Sequence, residues 1–329
     1  MSTHLAVAIV ADTPARALEL AHSLPQGVSL VEYRLDFMDR VDVARLAEQS
    51  PLPAIFTCRS QTQGGRFRGS ERERREILRQ ALETRHLVDI EMDTLAAMRP
   101  FIHDPARVIG SWHDFEGMLR DWGALDVRIR ARGAGIVKLV GMAASEDDVL
   151  TPCAWLSRRN LPGVGIAMGA AGVASRLLAP RFARAFLTFA SLDQTSAPGQ
   201  IHVQDMITRY GFSHLADAAP FFALLTPPSV PWDEVERYRQ AMQRHVHNDH
   251  AWLLPIPVAT VHPGLALALR LARASGIIRL PGVETSPALS DYGFTPAALA
   301  WRLSPNSRPE AWTGPSHPEA LLSFLLQGH

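Results

Sequence analysis

Gly135-Ile136-Val137-Lys138-Leu139-Val140-Gly141-Met142 is an apolar, β-branched run with a single charge inside it. Such a run reads as a strand buried on both faces. Lys138 is the only lysine among 33 basic residues; all the others are arginines. Arginine keeps its proton in any protein environment, so a lone retained lysine marks a position where a neutral amine is useful. An ammonium in low dielectric must be paired or give up its proton, and a neutral lysine is a nucleophile toward carbonyl groups. The run therefore points to imine chemistry, the ordinary alternative being a lysine that snorkels out at a strand end.

Working outward, similar runs recur along the chain. They are Leu5 to Ala11, Ser29 to Leu35, Ala54 to Cys58, Leu87 to Met92, Val108 to Trp112, Gly135 to Gly141, Gly163 to Met168 and Ala185 to Ala190. Between them lie helical patterns such as Pro14 to His22 and Ser70 to Arg85. Strand alternating with helix builds right-handed βαβ units, and eight of them close a (β/α)8 barrel. The rival open sheet would announce a nucleotide site by a glycine-rich turn after its first strand; here that turn is Ala11-Asp12-Thr13-Pro14. Gly169-Ala-Ala-Gly172 lacks the required spacing.

Polar residues gather at the ends of these strands: Glu32 and Arg34, Arg59, Asp89 and Glu91, His113, and Lys138. Barrel enzymes place their active sites at the C-terminal strand ends. Basic and acidic residues balance at 33 each, so no global field favours nucleic acid or an anionic membrane. Cys58 and Cys153 are the only cysteines, too few for a disulfide framework and wrongly spaced for structural zinc. No segment has the length of a membrane span, and the N-terminal residues lack an export pattern, so a cytoplasmic enzyme is expected.

Over about residues 5 to 208 the chain resembles the type I 3-dehydroquinate dehydratases, the Schiff-base class. The likeness rests on Glu32-Tyr-Arg-Leu-Asp36, Phe56-Thr-Cys-Arg59-Ser60 with Gln63-Gly-Gly65, Val88-Asp-Ile-Glu91 and Ser111-Trp-His113-Asp-Phe115. It continues through Ile136-Val-Lys138, Ala167-Met-Gly169 with Gly172-Val-Ala-Ser175-Arg176, and Ser196-Ala-Pro-Gly-Gln200. The resemblance implies that Lys138 forms the imine with a cyclic keto acid and that His113 moves the proton. It implies that Arg176 grips the substrate carboxylate, and that Glu32, Arg34 and Arg59 bind ring hydroxyls. Ser196 and Gln200 would sit on a loop that closes over the substrate, with Gln63, Asp89 and Glu91 supporting from behind. No metal or other cofactor is implied. The expected partner is a small carboxylate-bearing cyclic ketone, with a homodimer left open.

The chain departs from the family pattern in places. The glutamate of the family's E-G-G is Gln63, which keeps hydrogen bonding but loses a charge, and a serine of the family is Ala167. Residues 1–209 are read as the barrel and 210–329 as a C-terminal extension of unassigned fold, long enough for a small separate domain, with Thr226 to Pro231 as linker and Trp232 to Val246 as helix. That extension is too short for the shikimate dehydrogenase found in some fused relatives and lacks an S-K-S-P-like motif or a glycine-rich nucleotide turn. His245, His247 and His250 are not read as a metal site, since no flanking thiol or distal ligand accompanies them. Two other readings stay open: a divergent Schiff-base lyase on another hydroxylated keto acid, and a non-catalytic sensor of such a metabolite.

Overall fold

The computed structural model describes residues 3–192, 197–216, 219–245, 251–304 and 307–326. The eight runs named above form eight parallel strands: β1 (His4–Ile9), β2 (Leu30–Arg34), β3 (Ala54–Thr57), β4 (Leu87–Glu91), β5 (Val108–Asp114), β6 (Ile136–Met142), β7 (Gly163–Met168) and β8 (Leu187–Ser191). Each pairs with its sequence neighbour, and β1 pairs with β8. The ring closes between β7 and β8 by a parallel bridge at Gly163 and Ala185, where Phe186 N donates to Gly163 O at 2.8 Å. A two-residue strand β9 (Ile201–His202) adds to the end of β8. The helices α1 (Pro14–His22), α2 (Val43–Gln49), α3 (Glu71–Leu82), α4 (Met92–Met98), α5 (Trp122–Ala131), α6 (Leu150–Ser157), α7 (Val173–Leu178), α8 (Val203–Thr208) and α9 (Phe212–Ala216) belong to this ring.

Alternation along the strands decides what fills the barrel. Leu30, Ile55, Ile109, Ile136, Val164 and Leu187 form an apolar floor. Two residues further along, the same face of β2, β3, β4, β5 and β6 presents Glu32, Thr57, Asp89, Ser111 and Lys138, all buried. The step from floor to this layer is where the interior turns polar.

The chain then builds a second sheet. Its strands are β10 (Phe221–Thr226), β11 (Trp252–Pro257), β13 (Gly276–Arg279), β15 (Ala300–Arg302) and β16 (Glu310–Trp312), in the order β11-β10-β13-β15-β16. A short parallel pair, β12 (Thr260–Val261) with β14 (Glu284–Thr285), lies beside it. The first three strands of the large sheet are parallel and the last two antiparallel. Helices α10 (Trp232–His245), α11 (Pro263–Leu271) and α12 (Pro318–Leu326) complete the region. Thr226 to Pro231 is therefore the strand-to-helix turn of a βα unit and not a linker between domains; its prolines imitate linker composition.

Both faces of this sheet are buried, which explains the unbroken apolar run Phe221-Phe-Ala-Leu-Leu225. Phe222, Leu224 and Ile278 pack on α10 and α12. Phe221, Ala223, Leu225, Leu254, Ile256 and Ile277 face the other way and join one core with Leu177 and Leu178 of the barrel and Leu265 of α11. The start of α11 lies so close to the barrel that a Cβ at Gly264 would come within 2.3 Å of Asp147 O. No helix among the described residues is long and apolar enough to cross a membrane. Because the core is shared, Leu265→Ala should cost about 2–5 kcal/mol, and urea should unfold both sheets in one transition rather than two; circular dichroism and tryptophan fluorescence followed together check this.

Candidate active site

A cavity opens at the C-terminal mouth of the barrel and is lined by Glu32, Arg34, Arg59, Gln63, His113, Lys138, Arg176 and Gln200. Residues scattered over some 170 positions of sequence meet there because each stands on a barrel strand, on the loop after it or, for Arg176, on the helix that follows. Ser196 lies outside the described residues, as do His247 and His250. Asp89 and Glu91 stand behind the cavity wall, Asp89 in direct contact with the lysine. Among the described residues no cluster of His, Cys, Asp or Glu side chains is arranged to hold a metal ion.

Lys138 is buried, and its Nζ lies 2.9 Å from Asp89 Oδ2 and 3.8 Å from Glu32 Oε1, over the ring of Phe189 with 4.5 Å to the centroid. Asp89 is shared: Arg59 Nη2 meets the same oxygen at 2.8 Å, and Ser111 Oγ donates to Oδ1 at 2.5 Å. Arg59 Nη1 in turn donates to Ser111 Oγ at 2.7 Å. Burial alone would push the Asp89 carboxyl up, but Arg59 and Lys138 outweigh it and hold the group far below the usual carboxylate range. Glu91 accepts from Ser60 N at 2.8 Å and from Arg74 Nη1 at 2.6 Å, bracing the loop that carries Arg59. Glu32 accepts from Thr57 Oγ1 at 2.7 Å.

His113 is positioned by Gln63, whose Oε1 accepts from the His113 backbone N at 2.9 Å and lies 3.4 Å from Nδ1. The backbone contact requires the amide oxygen, not its NH2, on that side. The tautomer with its proton on Nδ1 suits that oxygen and leaves the lone pair on Nε2. Burial, with Arg59 and Lys138 nearby, pushes His113 well below the ordinary histidine value of 6.5. At neutral pH it is an uncharged base.

The arginines divide by partner. Arg34 is bound in a fork by Asp36, with Nε to Oδ1 at 2.9 Å and Nη2 to Oδ2 at 2.8 Å. Arg59 has Asp89 and Glu91. Arg176 is 2 % exposed, yet none of the described carboxylates pairs with it; Nη2 donates to Pro198 O at 3.3 Å and Nε has no partner. Burial lowers it to about 10. An uncompensated guanidinium at a cavity wall is a ready anion site.

Sequence reasoning did not reach Arg74, one arginine among several in Glu71-Arg-Glu-Arg-Arg, which nothing in the pattern distinguishes. The apolar lining, Val140, Ile166, Met168 and Phe189, was within reach, since these positions follow the period-two alternation that Lys138 obeys.

Fold and cavity together define a (β/α)8 barrel with a lysine-centred mouth. The chain belongs to the type I 3-dehydroquinase family, whose profile matches residues 5–217. It is 33% identical over 221 residues to the chloroplastic bifunctional 3-dehydroquinate dehydratase/shikimate dehydrogenase of Arabidopsis thaliana, an alignment covering 63% of this chain and 36% of that one. This chain thus spans about a third of that relative. The crystal structure of 3-dehydroquinate dehydratase from Geobacillus kaustophilus superimposes with a TM-score of 0.56 at 26% identity, over 64% of this chain and 93% of the other. The S. pombe dehydroquinate dehydratase and shikimate dehydrogenase structure covers 92% of this chain and 62% of its own, at 20% identity and a TM-score of 0.55, a likeness of fold that extends past the barrel.

Two outcomes are expected. Asp89→Ala would strand Lys138 and Arg59 without their carboxylate and cost about 3–5 kcal/mol by chemical denaturation. Gln63→Glu places a carboxylate beside His113 and raises its proton affinity. The acid limb of the pH–rate profile, which reports the free base, should then move to higher pH; an unmoved limb would mean that His113 is not the base.

Proposed function

We propose that this protein is a lyase that dehydrates 3-dehydroquinate to 3-dehydroshikimate through an imine on Lys138. The observation that carries the reading is the meeting, in one cavity, of the chain's only lysine, an uncharged histidine and a buried guanidinium that none of the described carboxylates pairs with. A cyclic β-hydroxy ketone bearing a carboxylate supplies a partner for each.

The substrate carboxylate pairs with Arg176, which brings the ketone carbon to Nζ of Lys138. Nζ adds to the carbonyl, and loss of water leaves an iminium. Asp89, kept ionised by Arg59, lies beside the new positive charge. The iminium acidifies the neighbouring carbon, and Nε2 of His113 takes a proton from it, giving an enamine. The enamine electrons expel the β-hydroxyl, to which His113 returns the proton, so that water leaves. A second water hydrolyses the conjugated iminium, freeing the enone acid and the lysine. The balance is one water lost from substrate. Gln200 lines the cavity beside Ala197 and adds polar contacts to the bound acid. His113 and Lys138 serve a reacting molecule, whereas a sensor requires only the arginines, so we place catalysis ahead of sensing.

We assign the second sheet no dehydrogenase activity. A nucleotide phosphate needs free backbone N–H groups at the first strand-to-helix turn. Here that turn is Thr226-Pro-Pro-Ser-Val-Pro231, in which three prolines remove donors, and Pro227 lies against Gly282, only 3.1 Å from where a Cβ would be.

The test is intact mass after incubation with 3-dehydroquinate and borohydride, alongside absorbance of the enone in untreated protein. Wild type should gain one adduct and form enone; Lys138→Met should do neither, and Arg176→Ala should raise KM about a hundredfold. An adduct without enone would move the assignment to a different hydroxylated keto acid. Absence of both would refute the lyase reading.

A further inference from the structure

Helix α7 carries Arg176 and is only six residues long. Isolated helices of fewer than about 12 residues are marginal in water, and the N-cap of α7, Gly172, has no side chain to satisfy the first amides. Local sequence therefore does not hold this helix in place. On its inner side Ser175 Oγ accepts from Ala167 N at 3.0 Å and donates to Gly172 O at 2.8 Å, pinning the first turn to β7. On its outer side α7 packs directly on β11 of the second sheet. Ala174, Leu177, Leu178 and Ala179 share a core with Leu254, Ile256 and Val258, all of them buried.

Contacts just beyond the helix reinforce this. Arg181 donates to Ala272 O at 3.2 Å and Ala219 O at 3.0 Å, and its guanidinium stands 5.0 Å from the centroid of the Phe221 ring. Ahead of α6, Glu146 accepts from Ala259 N at 3.0 Å, and Asp147 accepts from Gly264 N. The second sheet thus grips the two βα units that follow β6 and β7. Lys138 lies on the first of these strands, and Arg176 follows the second.

We propose that the second sheet is a positioning element for the anion site: through Ile256 and its neighbours on β11 it sets where α7 places the guanidinium of Arg176. This rests on the assignment of Arg176 to the substrate carboxylate. The guanidinium of Arg176 makes one weak bond among the described residues, 3.3 Å to Pro198 O, while its backbone O accepts from Thr188 Oγ1 at 3.1 Å, so the placement of the helix determines the placement of the charge. Anything that loosens β11 against α7 weakens recognition of the carboxylate and spares the chemistry at Lys138.

The opposite face of the same sheet supplies a control. Ile278 is as buried as Ile256 but faces α10 and α12. Ile256→Ala and Ile278→Ala remove the same atoms from one sheet, so both should lower stability, while only the first lies in the core that includes Leu177 and Leu178 of α7. Ile256→Ala should raise KM for 3-dehydroquinate about tenfold with kcat within about twofold; Ile278→Ala should leave KM unchanged.

A second readout needs no turnover: borohydride trapping at Lys138 with 3-oxocyclohexanecarboxylate against cyclohexanone. Wild type and Ile278→Ala should favour the acid, and Ile256→Ala should lose about tenfold of that preference. If Ile256→Ala does not fold, Ile256→Val, which removes one carbon, should show the same loss in smaller measure. Equal KM and equal preference in the two alanine variants would overturn the positioning role. A wild-type protein that traps neither ketone would overturn the lyase reading, and the positioning role with it.

Discussion

The buried carboxylate of Asp89 is the interaction on which the rest of the cavity depends. Standing on β4, it takes Arg59 from the end of β3, Ser111 from β5 and Lys138 from β6, so one side chain joins four strands. A lysine and an arginine could not both be buried within reach of each other without it. Its ionised state is itself a product of those neighbours, so the carboxylate and the two cations support one another. The same arrangement gives catalysis a fixed negative charge at the place where a positively charged nitrogen would form, with no need for solvent or side chains to reorganise.

A count of charge around the cavity separates structure from recognition. Arg34 is neutralised by Asp36, and Arg59 by Asp89 and Glu91. Arg176 is the cation left without a described carboxylate. The buried charges are thus paired at Arg34 and Arg59, and the guanidinium of Arg176 is the one left for the carboxylate we propose to enter there. Gln63 fits the same economy. Its amide oxygen orients the ring of His113 as a glutamate would, without adding a negative charge that would favour the protonated ring.

Much of this was legible in the sequence. The eight strands could be found because parallel strands buried on both faces are continuous apolar runs, and polar residues within or just after them, such as Glu32, Asp89 and Lys138, stand out against that background. The motifs around His113, Lys138 and Arg176 carried the family resemblance. What could not be read is partnership. Nothing in the sequence says that Arg34 is tied to Asp36 while Arg176 is not, or that Arg74 is the arginine of its helix that turns inward, because pairing across strands is a property of register and not of composition. The residues after 220 misled for a related reason. A proline-rich turn between strand and helix has the composition of a linker, and only the apolar faces of β10 and β11, once seen against α7, show that this region shares the barrel's core.

The lone lysine has one more consequence. The described surface offers no ε-amine, because the only one in the chain is sunk in the barrel with 7% of its side chain exposed. Bulky amine-directed dyes, crosslinkers and coupling resins will therefore find no lysine on the described surface. A small amine-reactive probe that does enter the barrel will report on one ε-nitrogen, with no other lysine in the sequence to compete for it.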